Sequence, residues 1–210
     1  MKKTLVLVTL FVMPIIIYLF FLSGTTNFGK LAVLTENVEE IPPYNDAIVL
    51  KDKITVLGFL GSDINSKRSN ALNLNQKIYK RFYEFTDFQF VMVVPKGVEA
   101  EVKELKKELE ELADTVKWNF VHLEEKEIQS FHKSLKTDIA LDGTNGTSYV
   151  FIIDKDLNLR GRDDDEDEQT KYGFNTTLIS ELNNKMVDDV KIILAEYRLA
   201  LKKNNVQRDK

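Results

Sequence analysis

The sequence predicts an α/β domain: a mostly parallel central sheet with an antiparallel edge hairpin and helices on both faces. One membrane-spanning helix is expected before it and one long helix at its C-terminal end. Three observations carry this. Two short, almost unbroken apolar runs, residues 53–60 and 88–95, have the composition of strands buried on both faces. Segments whose apolar residues recur at three and four positions alternate with those runs, which is the pattern of βαβ units. An uninterrupted apolar stretch, residues 4–22, follows Lys2 and Lys3.

That stretch sets the first element. As a helix it would cover roughly 28 Å, enough for a hydrocarbon core. Pro14 lies in its middle, which a membrane helix tolerates. A cleaved signal peptide is the rival, but its apolar region is usually about 7–15 residues with a small-residue cleavage site. Residues 4–22 are longer, and Leu22-Ser23-Gly24-Thr25 is a poor match to such a site. The reading is an uncleaved, single-pass anchor over residues 1–24. Lys2 and Lys3 stay inside, so the remainder is expected on the extracytoplasmic, periplasmic side of the cell membrane.

Residues 25–46 carry Gly29, Pro42 and Pro43 and read as a pliable tether with a short strand near 30–34. The domain proper is expected over 47–210. Strands are predicted at 47–50, 53–60, 88–95, 116–123 and 148–154, with 157–161 as the hairpin partner of the last. Helices are predicted at 69–85, 99–115 and 124–135, with one long helix at 177–203. Its stripe of Leu178, Leu182, Met186, Val190, Ile193, Tyr197 and Leu201 runs the full length. A sheet of this size does not cover such a helix, so Tyr197 and Leu201 are candidate partner contacts, or else they pack on the tether.

Charge excludes one class of partner. Without Lys2 and Lys3 the chain has 27 basic residues (29 − 2) against 33 acidic ones, and the six carboxylates of Asp163 to Glu168 account for the whole difference. No basic stripe remains, so nucleic acid is not an expected partner. Asp163, Asp164 and Asp165 head a run that reads as a solvated loop, or as a docking patch for a basic protein or a weak cation site. Asp154-x-Asp156-x-Asn158 begins like a calcium loop, but Leu159 occupies the place that needs glycine, and a hairpin turn explains the same residues.

The element order strand, helix, strand, helix, strand, helix, hairpin, helix is the plan of a thioredoxin-like domain. At the end of the 53–60 strand the chain reads G-F-L-G-S-D-I-N-S over residues 58–66, with Ser62 and Ser66 four apart and no cysteine anywhere. This stretch resembles the Sco (SenC) family, membrane-anchored thioredoxin-like proteins whose corresponding stretch reads G-F-T-H-C-P-D-x-C. The resemblance extends over about residues 51–203. It places Ser62 and Ser66 at the family's two copper-binding cysteines. The family's third ligand is a histidine in a pattern such as D-H-S-x-x-x-Y-L-V-D, and G-T-S-Y-V-F-I-I-D puts Gly146 at that place. All three ligand positions are vacant.

For the family the resemblance implies copper delivery and thiol redox work at the copper centre of cytochrome oxidase. Here the atoms argue otherwise: Cu(I) is held by thiolates and thioethers, and a serine hydroxyl cannot cycle between thiol and disulfide. A nucleophilic serine needs an adjacent base, and the two histidines, His122 and His132, have no sequence link to Ser62. Both serines are therefore read as helix-capping and loop residues. The expectation is a non-enzymatic, metal-free and cofactor-free interaction or assembly factor with a protein partner, in the setting of respiratory oxidase assembly. The alternative is a divalent-metal or catalytic protein using other carboxylates and histidines.

Overall fold

The computed structural model describes residues 2–23, 29–42 and 48–208, and within these the side chains of 2, 4–6, 20–23 and 201–208 lie outside the description. Helix α1 (Lys2–Ser23) is followed by strands β1 (Ala32–Thr35) and β2 (Ile54–Leu60). Helix α2 (Ile64–Leu74) continues through a π turn (Asn75–Tyr79) into α3 (Lys80–Phe82). Then come β3 (Phe88–Pro95), α4 (Glu99–Leu112), β4 (Trp118–Leu123), α5 (Glu125–Ser134) and β5 (Gly146–Ile153). Short strands β6 (Leu159–Asp165), β7 (Gln169–Lys171) and β8 (Phe174–Asn175) precede α6 (Ile179–Glu181), a second π turn (Leu182–Met186) and α7 (Val187–Arg208).

The sheet runs β1-β6-β5-β2-β3-β4, with β7 beside β6 and β8 beside β5. Strands β2, β3 and β4 are parallel, whereas β5, β6 and β1 join antiparallel. The sheet is thus mixed rather than mostly parallel. The reason is local: α5 is only 10 residues long, and the segment after it carries the chain back so that Gly146 lies opposite Leu60. Strand β5 then starts where β2 ends.

Side chains alternate across the pleat as a doubly covered sheet requires. Ile54, Val56, Phe88, Phe90 and Met92 pack on α2, α4 and α7, while Leu57, Phe59, Val91 and Val93 pack on α5 and on Val38, Ile41 and Leu50. Burial of each large apolar side chain contributes about 1.5–3 kcal/mol, so these two layers dominate the stability.

Several expected elements differ. Leu31, Val38 and Ile41 are buried and β1 pairs with β6, so most of the described part of 25–46 is built into the domain rather than pliable. No strand forms over 48–50; the Glu40 carboxylate accepts the N–H groups of Leu50 (2.7 Å) and Lys51 (2.9 Å) instead, and residue 47 lies outside the described residues. The helix expected from 69 begins at Ile64, because Asp63 caps it. The hairpin partner of β5 starts at Leu159 rather than 157 and runs on to Asp165, so the head of the acidic run lies in a strand rather than a loop, and two further short strands follow.

The middle of the long C-terminal stripe is covered, whereas Leu178 at its start is 49% exposed. Leu182, Met186, Val190 and Ile193 are fully buried, and Gly29 and Leu31 lie against the same helix. Tyr197 is half-buried, packs on the core and donates its hydroxyl to Asp156 Oδ2 at 3.3 Å. It is therefore not a free projecting contact; the side chain of Leu201 lies outside the described residues. Among the described residues no helix is long and apolar enough to cross a membrane. In α1, helical for 22 residues, the stretch with described side chains is 7–19, and all its large hydrophobics are exposed.

Candidate functional site

The site is the loop where β2 ends. Gly61 takes a left-handed φ of 72°, and a side chain there would run into Thr144, so glycine is required for the chain to turn beside the 142–146 loop. The Ser62 N–H donates to the Thr144 carbonyl at 2.9 Å, which joins the two loops. Asp63 then caps α2: its carboxylate accepts the Ser66 N–H at 3.2 Å, and the Ser66 hydroxyl donates to the Asp63 carbonyl at 2.9 Å. The cap is thus the aspartate, and neither serine replaces it.

Facing this turn, Asp142 organises the second loop. Its Oδ1 accepts the N–H groups of Thr144 (2.9 Å) and Gly146 (3.0 Å) and the Thr144 hydroxyl (2.5 Å), and Lys67 Nζ binds Oδ2 at 2.9 Å. Desolvation pushes the Asp142 carboxyl up, but the Thr144 hydroxyl, the Lys67 ammonium and the Gly146 and Thr144 N–H groups outweigh it and hold the carboxyl well below the usual range. Lys67 stands one residue after Ser66, so an ammonium and its carboxylate close the space between the helix start and the 142–146 loop.

Gly146 does come beside the end of β2, but it has no room for a ligand side chain. A Cβ there would meet the Leu60 carbonyl oxygen at 2.8 Å and its carbon at 2.9 Å. The donor set does not fit a copper ion: two exposed hydroxyls, a glycine closed off by backbone, and an ammonium that repels a cation. The histidines are occupied elsewhere. His122 lies 3.7 Å from Glu99 across its Nδ1, and His132 stands edge-on to Phe59 at 5.2 Å, with burial lowering its proton affinity. Among the described residues no three His, Asp or Glu side chains gather to hold a metal ion.

The acidic run is only partly solvated. Asp165 is buried and binds Lys185 at 2.7 and 2.8 Å, Asp167 binds the same ammonium at 2.6 Å, and Glu168 binds buried Lys171 at 2.7 Å. Asp163 and Asp164 remain exposed, so of the three aspartates singled out for partner contact Asp165 is excluded by its own ion pairs. Asp154 is a turn residue: Oδ1 accepts the N–H groups of Asp156 and Asn158, both at 2.9 Å, and Oδ2 binds Arg160 at 3.0 Å.

Two features escaped the sequence reading. Lys67 and Asp142 are 75 positions apart, and nothing local pairs them. The Asp63 cap, in contrast, had a signal, an aspartate three residues before a serine at a helix start.

No protein-family model matches the chain, and no curated protein does. Solved structures do. The chain is similar to BsSco, a member of the Sco family of cytochrome c oxidase assembly proteins, with a TM-score of 0.50 and 17% identity over 77% of this chain and 95% of that one. A putative protein disulfide isomerase from Bacteroides thetaiotaomicron gives a TM-score of 0.50 at 14% identity, covering 80% of this chain and 95% of its own. A SCO1/SenC family lipoprotein from Bacillus anthracis str. Ames gives 0.49 at 17% identity, over 79% and 98%. At these identities the shared property is the fold: the domain is thioredoxin-like, built as BsSco and the putative disulfide isomerase are, and the chain contains no cysteine.

Proposed function

We propose that this chain is a single-pass, membrane-anchored protein of Sco type whose domain lies on the extracytoplasmic side. It works by binding another protein, as an assembly factor, rather than by redox or metal chemistry. The observation that carries the reading is the end of β2, where hydroxyls, a capping aspartate and the Lys67–Asp142 ion pair stand at the place the Sco resemblance assigns to ligands. Residues 58–66 and 142–146 contain neither a thiolate nor a thioether, so exchange chemistry and soft metal ligands are both missing there, and what the fold retains is a rigid, exposed loop pair. The anchor is supported by the apolar sequence 4–22 and by the helical run of α1, whose 22 residues would extend about 33 Å and whose large hydrophobics between 7 and 19 are exposed. Respiratory oxidase assembly is the setting that the resemblance suggests, together with the place of BsSco among cytochrome c oxidase assembly proteins.

The test is a Cu(I) titration of the purified chain together with cross-linking in membranes from Ser62→Cys and Asn145→Cys variants. The expected result is no one-to-one copper uptake and a discrete protein adduct from both loop positions. Tight one-to-one Cu(I) binding by the unaltered chain overturns the proposal.

A further inference from the structure

The domain attaches to its anchor by a short link. Between Ser23, where α1 ends, and Gly29, where the described chain resumes, there are six peptide steps, which fully extended reach about 21 Å. At Gly29 the chain already lies against α7, since a Cβ there would sit 4.0 Å from Ile192 Cδ1. Two residues on, Arg160 locks the Leu31 carbonyl (2.7 Å) and the Glu196 carboxylate (2.7 Å) together, so α7 is fixed to the point of attachment. With α1 in a bilayer, the middle of α7 stays within that reach of the lipid headgroups.

The far end of α7 has a charge the rest of the chain lacks. Between residues 198 and 208 stand Arg198, Lys202, Lys203 and Arg208 with no acidic residue, in a chain of net charge −4. Lys53, Lys117 and Lys155 lie at the same end, grouped around Asp87, and burial together with the Lys53 charge pushes the Lys117 ammonium down. Beside them is a groove lined by Phe85, Leu194, Tyr197 and Arg198, with Phe85 42% exposed and Leu199, one position on, 37% exposed. The acidic run sits at the other end of this helix, beside Lys185. Lys155 and Arg198 beside exposed aromatic and aliphatic side chains suit the headgroup layer, where the charges meet phosphate and the apolar groups enter the acyl boundary.

We infer that the basic end of α7 seats the domain on an anionic phospholipid surface, which fixes the orientation in which the β2 loop faces away from the membrane; this rests on the membrane-anchored reading above. Each basic residue near such a surface strengthens the contact about fivefold, and salt weakens it.

The chain has no cysteine, so single labels can be placed cleanly. The full-length protein is reconstituted in nanodiscs of phosphatidylcholine with or without phosphatidylglycerol, carrying a fluorophore at Asn205→Cys, Asp164→Cys or Leu10→Cys. Quenching by spin-labelled lipid is then read. The expected result is a label at 205 quenched in phosphatidylglycerol discs, several-fold less in pure phosphatidylcholine, at high salt or with Lys202→Glu and Arg208→Glu, and a label at 164 left unquenched throughout. A label at 205 no more quenched than one at 164, or indifferent to phosphatidylglycerol, overturns the docking while a quenched label at 10 keeps the anchor. A label at 10 untouched by lipid overturns the anchored reading, and the docking with it.

Discussion

Arg160 is the side chain on which the attachment of the outer elements turns. It is 4% exposed and donates through Nε (3.2 Å) and Nη2 (2.7 Å) to the Leu31 carbonyl, through Nη1 (3.0 Å) to Asp154, and through Nη2 (2.7 Å) to Glu196. One guanidinium therefore ties the start of β1, the β5–β6 turn and α7. In Arg160→Met the apolar stem is kept and the charge is lost. Breaking a buried pair from one side costs about 3–5 kcal/mol, because the remaining charge stays buried without compensation. Asp154 keeps three other donors, from the Asp156 and Asn158 N–H groups and the Asn158 amide, which favours the low end, about 3 kcal/mol. The Leu31 carbonyl, stripped of both donors, adds about 1 kcal/mol. The sum, about 4 kcal/mol, lowers Tm by roughly 8–16 °C in a domain of this size. The assay is thermal unfolding of the purified chain in mild detergent, followed by Trp118, the only tryptophan and a buried one. Adding Asp154→Asn should recover most of the charge penalty. A loss below about 1 kcal/mol in Arg160→Met would refute the view that this guanidinium fastens the three elements.

Three further outcomes are expected. Asn75→Leu removes the amide that donates to the Leu109 carbonyl (3.1 Å) and accepts the Trp118 Nε1–H (3.2 Å); about 3 kcal/mol should be lost in denaturant unfolding, with a changed Trp118 emission maximum. Gly146→Ala forces a Cβ into the Leu60 carbonyl and should cost roughly 1–3 kcal/mol by the same measurement, so histidine at this position cannot rebuild a ligand site. On acidification, Asp142, Asp87 and Asp165 have folded-state pKa values below their unfolded ones, so their contribution is present above about pH 4 and is lost as pH falls through the folded values. Asp189 runs the other way, since burial raises it despite Arg162, and its contribution declines as pH rises above about 4; Tm measured from pH 3 to 7 in the wild type and in Asp142→Asn, which flattens the acid limb, checks both signs.

What was legible in the sequence was whatever short-range periodicity encodes. Residues 88–95 form β3 with the expected bounds, since an apolar run between a helix end and Lys96-Gly97 has no competing pattern. Strand direction was not legible. Nothing within Gly146–Ile153 says that β5 opposes β2; that follows from how the chain between Ser134 and Gly146 is led back along α5. The π turns were hidden for a related reason. Asn75 sits in one of them with its amide committed to Leu109 and Trp118, 34 and 43 positions away, and a helical window sees only a polar residue inside an apolar stripe. For the C-terminal stripe the sequence leaves projection and packing on the tether both open, and the second holds around Tyr197: the polypeptide that lies against α7, Gly29 to Leu31, looks like linker by composition yet is held by Arg160 through its carbonyl, a contact with no side-chain signature.

The same distinction decides how the site is read. Spacing alone aligned Ser62, Ser66 and Gly146 with a three-ligand pattern, and backbone geometry does bring Gly146 to the end of β2. Yet the contacts there serve a different purpose. Gly61 and Gly146 are glycines because two strands and two loops approach too closely for side chains, and Asp142 spends its lone pairs on its own loop and on Lys67. A metal or redox centre needs groups held ready for something that arrives. At the end of β2 the Asp63, Ser66, Lys67 and Asp142 side chains are instead bonded to one another or to the loop backbone, which makes the loop pair stiff and leaves Ser62, Asp63 and Ser66 exposed on its outer side. Stiffness and exposure are what a docking surface needs, because little conformational entropy is lost when a partner binds.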